Sequence, residues 1–152
     1  MTTPSTADRS ARFVYVTYIR TTAEKVFEAL TRPEVTRRYW CHENVSDWQT
    51  GSGWQHVRHA TGEVDLVGKV IETDPPHRLV ISWANQSQQE DPAAYSRVSF
   101  DIAPRPDGIV RLTVTHEDLQ PGGGMLAGIS EGWPLVLSSL KSFLETGTGV
   151  PM

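Results

Sequence analysis

GWPLVLSSLKSFLETG, residues Gly132 to Gly147, carries the longest sustained helical pattern in the chain. Ile129, Trp133, Val136, Leu137, Leu140, Phe143 and Leu144 recur at spacings of three and four, which is one broad apolar stripe on a helical period. A stripe that wide has to be covered by the rest of the molecule. Ser138, Ser139, Lys141, Ser142 and Glu145 read as the polar side, and Gly147 stands where a left-handed residue ends a helix. Pro134 has no amide to donate and costs about 3 kcal/mol in a helix interior, so the helix either begins near Trp133 or kinks there. Extended back to Gly124 the element would measure about 35 Å, close to the diameter of a compact domain of this length.

The chain has 152 residues, which is most simply one domain over residues 12–152 behind a flexible tail, residues 1–11. A chain of this length buries roughly 70% of its unfolded surface, so a core forms without staples. The net charge of -4 and pI near 5.7 argue against an electrostatic grip on nucleic acid or on an anionic membrane. Cys41 is the single cysteine, so no internal disulfide is possible, and the N-terminal stretch has no apolar signal segment. The expectation is a cytoplasmic protein without a bound cofactor.

Phe13 to Ile19 is dense in β-branched and aromatic residues and reads as a first strand. Thr21 and Glu24 have capping-box spacing ahead of a short helix marked by Ala23, Val26, Phe27 and Leu30, and Pro33 ends it or starts a second over Glu34 to Trp40. Strands follow near Val45 to Trp48, Trp54 to His59, Val64 to Thr73, Arg78 to Trp83, Tyr95 to Ala103 and Ile109 to Glu117, separated by Gly-, Pro- and Asp-rich turns. In the last of these Val110, Leu112, Val114 and His116 share one face, so His116 points inward with the apolar set. The order is α+β: a curved antiparallel sheet of six or seven strands around a long C-terminal helix, with two short helices after the first strand.

VFEALTRPE (Val26 to Glu34), GKVIETDPPHRLVISW (Gly68 to Trp83), SRVSFDI (Ser96 to Ile102) with VRLTVTHEDL (Val110 to Leu119), and the C-terminal helix resemble, in order and spacing, one known group. It is the activator of heat shock protein 90 ATPase homologue-like branch of the SRPBCC (START/Bet v 1-like) superfamily, matched over about residues 13 to 147. The resemblance implies the helix-grip fold, with a cavity between sheet and C-terminal helix. It implies no single activity, because fold alone is a poor guide to chemistry.

Five tryptophans are many large rings for a core of this size. Small-molecule pockets are mostly apolar and aromatic with a few placed polar groups, which makes Trp83 and Trp133 candidates at the helix-to-sheet seam and Trp54 a third on the next strand. Each is also compatible with plain core filling. His116 is either a hydrogen-bonding handle for a ligand or a core histidine satisfied by its neighbours. His56 and Arg58 share the Trp54 strand face provided the register holds, since a one-residue slip turns both to solvent. Phe100 and Leu137 complete the expected cavity set. His56 and His59 fall on opposite strand faces, and Cys41 with His42 has no second pair, so no metal site is expected. The Gly122 to Gly124 run reads as a mobile entry to the last helix, at the cavity mouth.

The leading functional reading is a binding module for a small apolar or lipid-like ligand, monomeric or dimeric. Cyclase or hydrolase chemistry in the same cavity would draw on His116, His56, Glu63 and Asp65, but no spacing ties two of them together. Co-chaperone work on a heat shock protein 90 ATPase is the third reading. A chaperone partner has no support in the residues themselves.

Overall fold

The computed structural model describes residues 11–120 and 124–152. Strand β1 (Ala11–Arg20) leads to helices α1 (Ala23–Thr31) and α2 (Pro33–Trp40). Six strands follow: β2 (His42–Ser46), β3 (Gly53–Arg58), β4 (Val64–Asp74), β5 (Arg78–Asn85), β6 (Ser96–Arg105) and β7 (Ile109–Leu119). Helix α3 (Gly124–Thr146) closes the order. The seven strands form one antiparallel sheet in the order β1-β7-β6-β5-β4-β3-β2. Every neighbour but β1 and β7 is consecutive in the chain, so the sheet is a meander closed by its first strand. Ala11 already belongs to β1, which shortens the expected tail by one residue; residues 1–10 lie outside the described residues.

Local sequence explains the short helices. Thr22 caps α1, its hydroxyl accepting from the Lys25 amide at 3.2 Å. The expected cap, Thr21, is displaced by one because Thr22 has the extended backbone an N-cap needs. Pro33 both ends α1 and takes the first position of α2, where its missing amide is harmless.

Helix α3 begins at Gly124 and runs through Pro134, so the proline does not start it. Pro134 is half-buried beside exposed Leu135. Ile129, Trp133, Val136, Leu137 and Leu140 are buried against Val98, Phe100, Ile102, Val110, Leu112 and Val114 of the sheet. Ser139, read from the sequence as polar surface, is fully buried. Its hydroxyl donates to the Tyr39 carbonyl at 2.7 Å and accepts from the Val150 amide at 3.0 Å, which fastens α2 and the C-terminal segment to the helix. The far end of α3 is tied to β1, where Glu145 accepts from the Arg20 amide at 2.8 Å. Gly122 and Gly123 of the expected mobile entry lie outside the described residues.

Leu140 is completely buried. Leu140→Ala is expected to lower unfolding stability by about 2–5 kcal/mol through lost burial plus a cavity, read as a drop in the urea midpoint. A loss under about 1 kcal/mol would mean that this face of α3 is not the core.

Candidate ligand cavity between sheet and helix

Four indoles converge where α3 crosses the sheet. Ring centres of Trp83 and Trp133 lie 5.5 Å apart, Trp40 and Trp133 5.6 Å, and Trp54 and Trp83 5.5 Å. Trp40 comes from the end of α2, Trp54 and Trp83 from inward positions of β3 and β5, and Trp133 from α3. The fifth, Trp48, stands apart, its indole donating to the Thr31 carbonyl at 2.8 Å.

Beside this cluster lies a cavity of about 170 Å³ walled by Trp40, His56, Leu66, Trp83 and the helix residues Gly128, Ile129, Gly132, Trp133 and Val136. Glycine inside a helix costs about 1 kcal/mol relative to alanine, yet Gly128 and Gly132 stand four apart on the cavity side. A Cβ built on either meets nothing within 4 Å. Gly128 is exposed and Gly132 half-buried, so the pair leaves the outer rim of the cavity open. A larger groove of about 830 Å³ lies over Val45, Gln55 and Val67, on the sheet face opposite the helix. That groove is walled by Val45, Val67, Pro92 and Tyr95 together with polar side chains, whereas the smaller cavity lies against the aromatic core.

His116 is completely buried at the back of the cluster. Trp133 Nε1–H donates to its Nδ1 at 3.0 Å, and an indole can only donate, so the ring proton is on Nε2. That N–H donates to Ser96 Oγ at 2.7 Å, and the Ser96 hydroxyl donates to the Trp83 carbonyl at 3.1 Å. Burial lowers the His116 pKa to about 4, so the ring is neutral at pH 7. With both nitrogens engaged, His116 is a satisfied core histidine that aligns Trp133 and has no atom left for a ligand.

His56 is different. Asn44 Nδ2 donates to the Leu30 carbonyl at 3.1 Å, which turns Asn44 Oδ1 toward His56 Nδ1 at 2.6 Å. Nδ1 therefore carries the ring proton. Burial first, and then the charge of His42, lower the His56 pKa to about 3, against an opposing pull from Asp65. Nε2 is left as a bare acceptor with no partner among the described residues. His42 stacks on His56 with ring centres 4.0 Å apart, and its own nitrogens face the Trp40 carbonyl at 3.0 Å and Asp65 Oδ2 at 2.8 Å.

Arg58 keeps its expected strand face, paired with His42 as His56 is paired with Asn44, but it does not line the cavity. Asp65 is the extra residue of a bulge in β4, and the exposed Arg58 guanidinium donates to both of its carboxylate oxygens at 3.1 and 3.0 Å. Burial works to raise the Asp65 carboxyl, but the hydrogen bonds from His42 and Arg58 outweigh it and hold its pKa low. Arg58 thus steadies the carboxylate that orients His42.

Of the residues expected to line a cavity, His56, Trp83 and Trp133 do so, while Trp54, Phe100, Leu137 and His116 pack behind them. Trp40, Leu66, Gly128, Ile129, Gly132 and Val136 were not anticipated. The signal that was present for the glycines is their placement, since they fall within the Ile129–Trp133–Val136 face of a helix that has no conformational use for them. Among the described residues no group of three or more His, Cys, Asp or Glu side chains is placed to hold a metal ion. No described helix is long and apolar enough to cross a membrane.

A curved antiparallel sheet gripping one long C-terminal helix, with a cavity at the seam, defines a helix-grip protein of SRPBCC type. The model of the family described as Activator of Hsp90 ATPase homolog 1-like protein matches residues 20–145, and the chain belongs to that family. Solved structures agree on the fold. The Aha1 dimer from Colwellia psychrerythraea is 21% identical, covering 91% of this chain and 99% of that one, with a TM-score of 0.75. CalU16 from Micromonospora echinospora is 21% identical over 93% of this chain and 78% of its own, TM-score 0.72. An HSP90 activator from Plasmodium falciparum is 22% identical over 80% and 86%, TM-score 0.66. At these identities the likeness is one of fold. No curated protein matches the sequence.

Proposed function

We propose that this protein binds a small, largely apolar molecule in the cavity between sheet and α3. The observation that carries the reading is the pair Gly128 and Gly132, which leave open the rim of a space walled by Trp40, Trp83 and Trp133. Binding is favoured over cyclase or hydrolase chemistry because His116 has both ring nitrogens engaged and His56, whose pKa burial lowers to about 3, is too weak a base at neutral pH. General acid–base work needs a group free to reach the substrate. Regulation of a heat shock protein 90 ATPase remains with the relatives whose names carry it.

Toluene is a suitable probe, because an engineered cavity of about 150 Å³ holds benzene. Titration calorimetry is expected to show saturable binding to the wild type and at least a tenfold loss in Gly132→Leu, whose side chain fills the open space. The same variant should be as stable as the wild type or more so, since leucine is the better helix former. Undiminished binding to Gly132→Leu would place the ligand elsewhere.

A further inference from the structure

On the sheet face turned away from α3, the edge strand β1 presents Val14, Val16 and Tyr18 in a row, 48%, 45% and 47% exposed. An exposed apolar row on an edge strand invites pairing with another chain, and proteins usually blunt such edges. Here one end alone is closed. The Tyr18 carbonyl accepts from Lys141 Nζ and the Arg20 amide donates to Glu145, so the backbone groups of these two residues face away from β7. Amides and carbonyls alternate sides along a strand, so those of Val14 and Val16 face the same way, and they have no partner among the described residues.

Charge says what would pair there. Arg111 lies directly opposite Tyr18, Arg105 reaches across from β6 to set its guanidinium 5.7 Å from the Tyr18 ring centre, and Arg20 stands two residues along β1. All three are exposed, and among the described residues none of them forms a salt bridge. Two other arginines of this face do, Arg78 with Asp101 and Arg97 with Glu117. The Glu145 carboxylate is already taken up by Lys141 and the Arg20 amide. In a chain of net charge -4 this is a local excess of positive charge beside an open strand edge.

Independently of the cavity, we propose that β1 receives an extended acidic segment of a partner protein, which pairs with the backbone of Val14 and Val16 as an added strand and brings its Asp or Glu side chains to Arg20, Arg105 and Arg111. In such pairing the main chain supplies affinity and the alternate side chains supply specificity. A bilayer or a nucleic acid makes no use of the strand edge, and the net negative charge of the chain works against a long polyanion. A second copy fits less well, because antiparallel pairing of β1 with itself about Val16 sets Arg12 of one copy against Arg20 of the other, and like charges directly opposite are destabilising.

The probe is an acetylated peptide of alternating Glu and Val, about eight residues long so that it spans β1, followed by fluorescence anisotropy at about 50 mM salt, where surface charges are weakly screened. Saturable binding is expected, with the matching peptide of Lys and Val at least tenfold weaker. Arg105→Glu combined with Arg111→Glu alters exposed side chains only, so the double variant should fold like the wild type and lose about tenfold or more in affinity for the acidic peptide. In the bound protein the Val14 and Val16 amides should gain protection from hydrogen exchange. Equal affinity for the two peptides, full affinity in the double variant, or binding that leaves these two amides unprotected would overturn the proposal. Absence of binding by the acidic peptide would overturn it too; uptake of the wild type by anionic vesicles, or a dimer broken by Val16→Lys, would then assign the surface to a lipid headgroup or to a second copy.

Discussion

Acidification from pH 7 to 4.5 is expected to remove about 5 kcal/mol of folding stability, and two buried histidines account for it. His116 and His56 have folded-state pKa values lowered to about 4 and about 3, against about 6.5 in the unfolded chain. Between those limits the unfolded chain binds protons that the fold refuses, so stability falls as pH falls, by about 1.4 kcal/mol per pH unit for each ring. About one pH unit above the unfolded value of about 6.5 both rings are neutral in both states and the contribution is fully present. A loss of this size is a large part of the 5–15 kcal/mol typical of a domain, so the chain should be near its unfolding midpoint at pH 4.5. Urea titrations across this range read the slope directly. His116→Gln offers the same donor and acceptor without a titrating ring, and should roughly halve the slope. A wild-type stability flat between pH 6.5 and 4.5 would mean that both rings are open to water.

The difference between what the sequence disclosed and what it concealed follows from the range of the interactions. Element order, the inward face of β7 and the apolar stripe of α3 were legible because each is set by local periodicity, and His116 fell inward for that reason. Its role was not legible. Whether a buried histidine serves a ligand or its neighbours depends on Trp133 and Ser96, which approach it only in the fold. Arg58 differs in another way. Alternation along β3 gave it the right face, on the side of His42 and His56, but a bulge that places Asp65 as an extra residue in β4 offers its guanidinium a carboxylate partner at the sheet end, away from the cavity. Ser139 looked like surface because serine is polar; its burial depends on a carbonyl of α2 and an amide of the C-terminal segment, 100 residues behind it and 11 ahead. The cavity itself was implied by family resemblance, whereas its glycine-lined wall came from residues that periodicity arguments pass over.

Gly68→Ala is expected to be the most damaging single-methyl change in the protein. Gly68 pairs directly with Trp54 across β3 and β4, so both project from the same face of the sheet. The Trp54 indole lies across that position to donate to the Ser82 carbonyl of β5 at 2.7 Å. A Cβ on residue 68 would overlap the Ser82 carbonyl oxygen and stand 2.5 Å from Trp54 Nε1. One obstacle is backbone and the other is an indole that is 1% exposed, so neither moves aside cheaply. Relief requires β4 to part from β5 or Trp54 to leave the core, and the second also breaks a buried hydrogen bond and opens a cavity behind Trp83. Either route costs more than an ordinary core truncation, about 4 kcal/mol or above. The variant should therefore be unfolded or close to it at 37 °C, with far-ultraviolet circular dichroism and proton NMR dispersion both diminished. Gly132→Ala, at a glycine whose Cβ would meet open space, is the matched control and should fold normally. If Gly68→Ala retained wild-type stability, Trp54 would not thread between these strands, and the backing of the cavity by Trp54 would have to be redrawn.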